Sequence, residues 1–235
     1  MGSVLLEKVM KTKTKYILSL VVKLAVFAVV VVGLADSFCG NSFAGPGKTL
    51  LYYTNQSNVL IAAICLAFAL WQIFGKKSLP NWCYVVKYAG TVAITITFLV
   101  FWLFLAPFMK GNPHLFALNS ICLHLVSPLL AIADFVLFDC NWLSGKKTVW
   151  WTLVFPCYYF AFAIICSCCG VTFDQNGAVM PYFFLDFYTY GWFTVDFQTP
   201  QLGVAYWLVA ILGFVLGVGW LYLKVKRWRN KQDMM

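Results

Sequence analysis

Six long apolar segments restrict the fold of this chain more than any other feature. They lie at about 16–35, 50–74, 86–109, 114–138, 149–169 and 202–223, and short loops with Gly, Pro, Asn or Lys separate them. A helix of about 20 apolar residues is long enough to cross the hydrocarbon core of a bilayer. Only 11% of the residues are charged, against about 25% in soluble domains. The sequence therefore predicts an all-α, polytopic membrane bundle of six transmembrane helices that forms a single domain over residues 1–235.

The distribution of Lys and Arg predicts the orientation of the bundle. If the N-terminus is cytoplasmic, 13 of the 17 basic residues lie in inner segments, and only Lys48 and Lys110 lie in outer loops. This pattern follows the positive-inside rule, so both termini are predicted to be cytoplasmic and the net charge of +9 reflects orientation rather than nucleic-acid binding. The first apolar run lacks a small-residue cleavage site and is expected to remain as a membrane span. We expect a multi-pass protein of the plasma membrane.

Five consecutive polar residues, Thr54-Asn55-Gln56-Ser57-Asn58, lie near the start of the second apolar segment. Polar groups inside the hydrocarbon are costly unless they find partners, so they usually face the bundle interior or a cavity. At 100° per residue, Thr54, Ser57 and Asn58 share one helix face and Gln56 points elsewhere. This face is a candidate site.

A histidine in the fourth segment is the natural partner for this face. Ser120, His124 and Ser127 lie on one side of the predicted fourth helix. Counted from the outer ends of the two helices, Asn58 and His124 lie at similar depths of about 12–15 Å. Thr54 lies higher, and helix tilt or a kink at the proline after Ser127 would bring its hydroxyl closer to the imidazole.

A hydroxyl and an imidazole at compatible depths permit nucleophilic catalysis. A hydroxyl is a poor nucleophile until a base removes its proton, and histidine suits that role near neutral pH. The side-chain amide of Asn55 or Asn58 is a candidate donor to an oxyanion. The alternative is that Thr54, Asn58 and His124 only join helices, through hydrogen bonds worth about 0.6 kcal/mol each. Spacing alone leaves both interpretations open.

Two charged residues lie well inside the apolar segments, and Lys87 lies at the edge of the third. Lys23 is near the cytoplasmic end of the first and Asp134 is near the cytoplasmic end of the fourth. Either the two form a buried ion pair, or Lys23 extends its ammonium group to the lipid headgroups. Depth along the helices does not distinguish these two arrangements.

The nine cysteines and two histidines show no metal-ligand spacing, and we expect neither a metal nor a cofactor. Cys166, Cys168 and Cys169 cluster near the end of the fifth segment. They are most simply small apolar residues of a helix. A disulfide between one of them and Cys39 stays open if both ends face an oxidising compartment.

Three motifs resemble those of a known family, the androgen-induced, steroid-reductase-like six-span membrane proteins and their bacterial relatives. They are Tyr52-Tyr53-Thr54 with the polar run 55–58, His124 with Pro128 and Asp134, and Pro181-Tyr182-Phe183-Phe184-Leu185-Asp186, supported by Phe155-Pro156-Cys157-Tyr158-Tyr159. The resemblance implies an integral-membrane hydrolase of fatty acid esters of hydroxy fatty acids, with Thr54 as nucleophile and His124 as the second catalytic residue. Substrate-binding or supporting roles are then expected for Asn55, Ser57, Asn58, Ser127 and Asp186. Here the proline after His124 comes one place earlier than in the family.

Three functions remain as hypotheses. The first is a threonine hydrolase whose partner is a membrane lipid or lipid ester. The second is a non-enzymatic protein that binds or transports a lipid or small solute through the same polar pocket. The third is a structural subunit of a larger membrane complex. The sequence shows no pair of Gly/Pro-interrupted segments at matching positions in two halves, and this argues against a repeat-type transporter.

Overall fold

The protein forms six helices that are long and apolar enough to span a membrane, in a computed structural model that describes residues 2–41, 44–75, 78–139, 142–196 and 201–232. We number them α1 to α6 in chain order: Lys13–Gly40, Tyr53–Phe74, Asn81–Met109, Leu118–Phe138, Lys146–Cys168 and Val204–Lys231. The all-α, six-span fold predicted from the sequence is confirmed. Because the number of spans is even, both termini lie on the same side of the membrane.

Several spans contain a change of helix type. The helix that contains α1 runs over Gly2–Asp36 and ends in the π turn Ser37–Asn41, and the helix that contains α6 is regular over Val204–Gln232. In α3, the α-helix Asn81–Val100 is followed by the π turn Phe101–Leu105 and the 3-10 turn Ala106–Met109. In α4, the π turn Cys122–Val126 separates Leu118–Ile121 from Ser127–Phe138, and α5 begins as the 3-10 helix Lys146–Leu153 and continues as the α-helix Val154–Cys168. α2 and α4 begin later than hydropathy predicts. The reason is that Pro46–Leu51 and Pro113–Phe116 form separate 3-10 turns, each opened by its proline.

The loop between α5 and α6 contains the remaining short elements. They are the 3-10 turn Phe183–Leu185, the helix Phe187–Tyr190, and two strands, β1 (Val195–Asp196) and β2 (Gln201–Leu202), which pair antiparallel. Phe173, Phe184 and Leu185 of this loop are buried against Tyr159 of α5 and Trp207 of α6. This part of the loop therefore packs on the bundle.

Helix α3 lies at the centre of the bundle. It contacts α2, α4, α5 and α6, and most of its residues from Lys87 to Thr97 are buried. A glycine allows the closest approach to α2, since a Cβ on Gly90 would lie 2.7 Å from Cδ1 of Ile64. Helix α1 packs on the outside of α2 and α4.

A buried cluster of four charges joins α1, α3 and α4. The Lys23 Nζ lies 2.8 Å from Oδ1 of Asp134 and 2.9 Å from Oδ2 of Asp139, and Lys87 pairs with both carboxylates. Lys87 and Asp134 are completely buried. Of the two arrangements that the sequence left open for Lys23, the structure forms the buried pair and adds Lys87 and Asp139. We call these four residues the charge cluster. Its formal charge is zero, which makes burial tolerable because each charge has partners of opposite sign.

The cysteines of the outer face are reduced. Cys39, Cys166, Cys168 and Cys169 all carry free thiols. The disulfide that the sequence left open between Cys39 and the cluster at the end of α5 is therefore not formed.

We expect Lys87→Met to lower the free energy of unfolding by about 3–5 kcal/mol, because it leaves a buried carboxylate without a compensating charge. The double variant Lys87→Met/Asp134→Asn restores neutrality and should recover at least half of that loss. Unfolding in detergent micelles measures both effects, with Lys13→Met at an exposed position of α1 as control. A single variant as stable as the control would show that the cluster does not hold the helices together.

Candidate functional site

Thr54 lies in the first turn of α2, where backbone amides have no acceptor within the helix. The hydroxyl of Tyr182, from the loop before α6, lies near the Thr54 side chain and the backbone of Tyr53 and Thr54, and Tyr182 and Thr54 line the same cavities. The hydroxyl of Tyr159 in α5 donates to the carbonyl of Leu51 at 3.0 Å. Tyr182 and Tyr159 thus lie against the start of α2, beside Thr54.

The protonation state of Tyr182 suits this arrangement. Burial raises the pKa of Tyr182 to about 12. The hydroxyl therefore keeps its proton at neutral pH, and it can donate a hydrogen bond as well as accept one.

His124 lies in the π turn Cys122–Val126 of α4. The amide of Ser127 donates to the carbonyl five residues earlier, and Pro128 has no N–H with which to reach the carbonyl of His124. The indole Nε1 of Trp102 in α3 donates to that carbonyl instead, at 3.0 Å. The distortion that places His124 is therefore supported by a side chain of a neighbouring helix, as is common for π turns at functional sites.

The contacts of the His124 ring define its tautomer. Nδ1 lies 3.1 Å from the carbonyl oxygen of Ser120. A carbonyl can only accept, so Nδ1 carries the proton and Nε2 keeps its lone pair as an acceptor. The ring of Phe101 stacks on the imidazole, with centroids 3.6 Å apart and planes at 18°. The ring is held in one orientation, and Nε2 of the neutral imidazole can accept a hydrogen bond.

Thr54 and His124 line the same cavity, which has a volume of about 330 Å³ and lies on the side assigned to the outside. Its walls are largely apolar, with amide side chains of Asn112 and Asn119 among the lining residues. A second cavity of about 210 Å³ is lined almost entirely by apolar and aromatic side chains of α3, α5 and α6. Four residues border both cavities: Thr54, Phe101, Leu105 and Tyr182.

Asn58 and Ser127 join helices rather than face the cavity. The Asn58 Nδ2 donates to the carbonyls of Thr54 at 2.8 Å and of Leu123 at 2.9 Å, while its Oδ1 accepts from the hydroxyl of Ser127. The π turn leaves the Leu123 carbonyl without its usual helical donor, and Asn58 supplies one. Both hydrogens of this amide are therefore used, and none remains for an oxyanion.

The other predicted site residues have different surroundings. Asn55 lines the larger cavity and donates one amide hydrogen to the carbonyl of Thr49, which leaves its second hydrogen for a ligand. The hydroxyl of Ser57 is hydrogen-bonded to that of Thr97 in α3 at 2.7 Å. Asp186 accepts the amide of the third residue of the short helix that follows it, as a helix cap does.

Three residues of the site were not assigned a role from the sequence: Tyr182, Tyr159 and Phe101. Tyr182 and Tyr159 belong to motifs of the family resemblance, which was the one available signal. Phe101 carried no signal, because an apolar residue in an apolar helix has no distinguishing pattern.

We expect Asn58→Ala to lower the free energy of unfolding by about 2 kcal/mol, because it removes three buried hydrogen bonds worth about 0.6 kcal/mol each in a membrane. Val59→Ala, at the neighbouring lipid-exposed position, is the control for truncation. Unfolding in detergent measures the difference. An Asn58→Ala protein as stable as the control would show that this amide does not join α2 to α4.

Comparisons with known proteins give no match: no protein-family model, no curated protein and no solved structure is similar to this chain. The resemblance to the androgen-induced family therefore stays a prediction from motifs. A function can therefore be proposed only from the geometry around Thr54 and His124 and from those motifs.

Proposed function

We propose that this protein is an integral-membrane threonine hydrolase that cleaves lipid esters at the plasma membrane. One observation carries the proposal: Thr54 and His124 line one cavity, and the imidazole keeps Nε2 as a proton acceptor. The motif resemblance implies the same two residues by a separate route. An oriented, half-buried imidazole and a hydroxyl that line one cavity are the two side chains that nucleophilic catalysis of this kind uses.

In the proposed reaction, the Thr54 oxygen attacks the ester carbonyl carbon while His124 Nε2 takes the hydroxyl proton. The tetrahedral intermediate collapses when the bond to the alcohol oxygen breaks, and His124 returns the proton to that oxygen. Water then attacks the acyl-threonine, again with His124 as base. The products are a fatty acid and an alcohol, and Thr54 regains its proton.

Stabilisation of the oxyanion is assigned to the start of α2. The positive end of the α2 helix dipole lies beside Thr54, and the Tyr182 hydroxyl, which keeps its proton, is a donor near the same residue. The remaining amide hydrogen of Asn55 is a further donor on the cavity wall. These donors are already oriented before substrate binds.

The two cavities support an ester with two apolar arms. The smaller cavity is apolar and suits an acyl chain, and the larger one combines apolar walls with polar side chains. Thr54 borders both, so an ester bond at Thr54 would have one arm in each. A fatty acid ester of a hydroxy fatty acid has this shape.

We expect Thr54→Ala and His124→Ala each to lower ester turnover by at least about a thousandfold, because each removes a reacting group. Hydrolysis of a long-chain ester by the purified protein in detergent measures this. Labelling by a fluorophosphonate probe should be lost in Thr54→Ala. Thr54→Ser keeps a hydroxyl and should retain measurable turnover. Unchanged hydrolysis or labelling in Thr54→Ala would refute the proposal.

We expect Tyr182→Phe to lower kcat about tenfold to a hundredfold with a smaller change in KM, because the lost hydroxyl orients Thr54 and stabilises charge in the transition state. Tyr188→Phe, in the same loop, is the control because Tyr188 is exposed. An equal loss in both variants would indicate an effect on loop packing rather than on the reaction.

The second candidate is a protein that binds or transports a lipid without hydrolysis. The observation in its favour is the cavity itself, whose apolar walls suit a lipid whatever chemistry occurs. Thr54→Val keeps the volume of the side chain and removes the hydroxyl. Saturable binding with no turnover in the wild-type protein, unchanged in Thr54→Val, would favour this candidate over the hydrolase.

A further inference from the structure

A third cavity, of about 400 Å³, opens at the cytoplasmic end of the bundle between α1, α2, α3 and the end of α4. It is lined in part by Lys15, Ser19 and Lys23, which follow one face of α1 at intervals of four residues. Eight residues of helix extend about 12 Å, so the cavity is long enough for a polar headgroup. The proposed hydrolysis does not use it.

The inner wall of this cavity presents one carboxylate of the charge cluster. Lys23 and Lys87 both contact Oδ2 of Asp139, and Oδ1 accepts no hydrogen bond from the residues that the structure describes. The Asp139 side chain is 13% exposed, whereas that of Asp134 is 0% exposed. Asp139 thus faces the cavity with one oxygen unused, and this oxygen can accept a hydrogen bond.

Two hydrogen-bond donors line the same cavity. Lys15 is exposed and forms no ion pair within the described ranges of the chain. The phenol of Tyr84 also lines the cavity, and within the same ranges its hydroxyl forms no hydrogen bond. A free ammonium group and a free hydroxyl suit an anionic oxygen such as that of a phosphate.

We propose that this cavity binds a phosphate ester headgroup whose far end carries a hydrogen-bond donor, an amine or a hydroxyl. The phosphate contacts Lys15 and Tyr84, and the donor reaches Oδ1 of Asp139. A simple anion would be repelled by the Asp139 carboxylate at the inner end of the cavity. A simple cation would be repelled by the ammonium group of Lys15. A headgroup with a phosphate and a donor satisfies both ends.

The location of the cavity favours a lipid of the cytoplasmic leaflet as the source of this headgroup. The cavity lies among the basic helix ends that the positive-inside pattern assigns to the cytoplasm. A layer of buried apolar residues separates it from the outer cavities: Val26, Ile61, Ile94 and Ala131. The inner cavity therefore shares no lining residue with the two cavities beside Thr54.

The test is lipid binding by the full chain, measured by native mass spectrometry from detergent. The probes are phosphatidylethanolamine and phosphatidylglycerol, whose headgroups carry a hydrogen-bond donor beyond the phosphate. Phosphatidylcholine, which has the same phosphate but no hydrogen-bond donor, is the comparison lipid. We expect the first two to bind at least about threefold more tightly than the third, as one added hydrogen bond to a charged group allows. Equal binding of phosphatidylcholine would overturn the proposal.

Two variants locate the site without disturbing the charge cluster. Lys15→Gln and Tyr84→Phe should each weaken phosphatidylethanolamine binding about threefold, the scale of one exposed interaction. Lys13→Gln, which removes a charge from the same helix outside the cavity, should have no effect. Equal losses in Lys15→Gln and Lys13→Gln would overturn the assignment, because the effect would then be one of surface charge.

Soluble phosphoethanolamine separates the two sources of this chemistry. If it competes with the lipid, the site recognises the headgroup alone, and a free phosphate ester of the cytoplasm is also a ligand. If it does not compete while the lipid binds selectively, the membrane is the source. Absence of selective binding by lipid and by soluble ester together would exclude the site.

Discussion

The neutral charge cluster inside the membrane is the constraint on which the rest of the bundle depends. Lys23 of α1, Lys87 of α3 and Asp134 of α4 are buried, so each helix must present its charge to the others. Apolar packing alone permits many rotations of these helices, whereas ion pairing permits few. With α3 at the centre and α4 held against it, the face of α4 that meets α2 is determined as well.

That face contains a second unusual element, the π turn around His124. It leaves the carbonyls of Leu123 and His124 without helical donors, and polar side chains from two neighbouring helices supply them: Asn58 from α2 and Trp102 from α3. Two residues of the polar run at the start of α2 therefore have different roles. Asn58 satisfies the distorted backbone, and Thr54 is left beside the cavity. The same hydrogen bonds that stabilise the bundle also orient the imidazole.

The two ends of the bundle offer different chemistry. On the outer side, hydroxyls, amides and an imidazole meet in cavities with apolar walls, which suits the proposed hydrolysis of a lipid ester. On the cytoplasmic side, lysine, tyrosine and a carboxylate surround a more polar cavity, which suits the proposed headgroup. The apolar layer around Ile61 and Ile94 separates them. The two proposals thus assign different lipid chemistry to the two ends of one bundle.

The sequence by itself determined the six spans, because hydrocarbon thickness and the need for internal backbone hydrogen bonds leave helices of this length as the solution. It also marked the polar run 54–58 and His124 as a candidate site, since polar residues are rare in such segments, and the motif resemblance predicted Thr54 as the nucleophile. It did not identify Lys87 and Asp139 as members of the cluster, or Tyr182 as the partner of Thr54. Helical periodicity placed Thr54 and Asn58 on one face, yet only one of them lines the cavity. These choices depend on helix rotation, on the π turn and on the path of the last outer loop. Each is decided by contacts between residues far apart in sequence, so only the tertiary structure contains them.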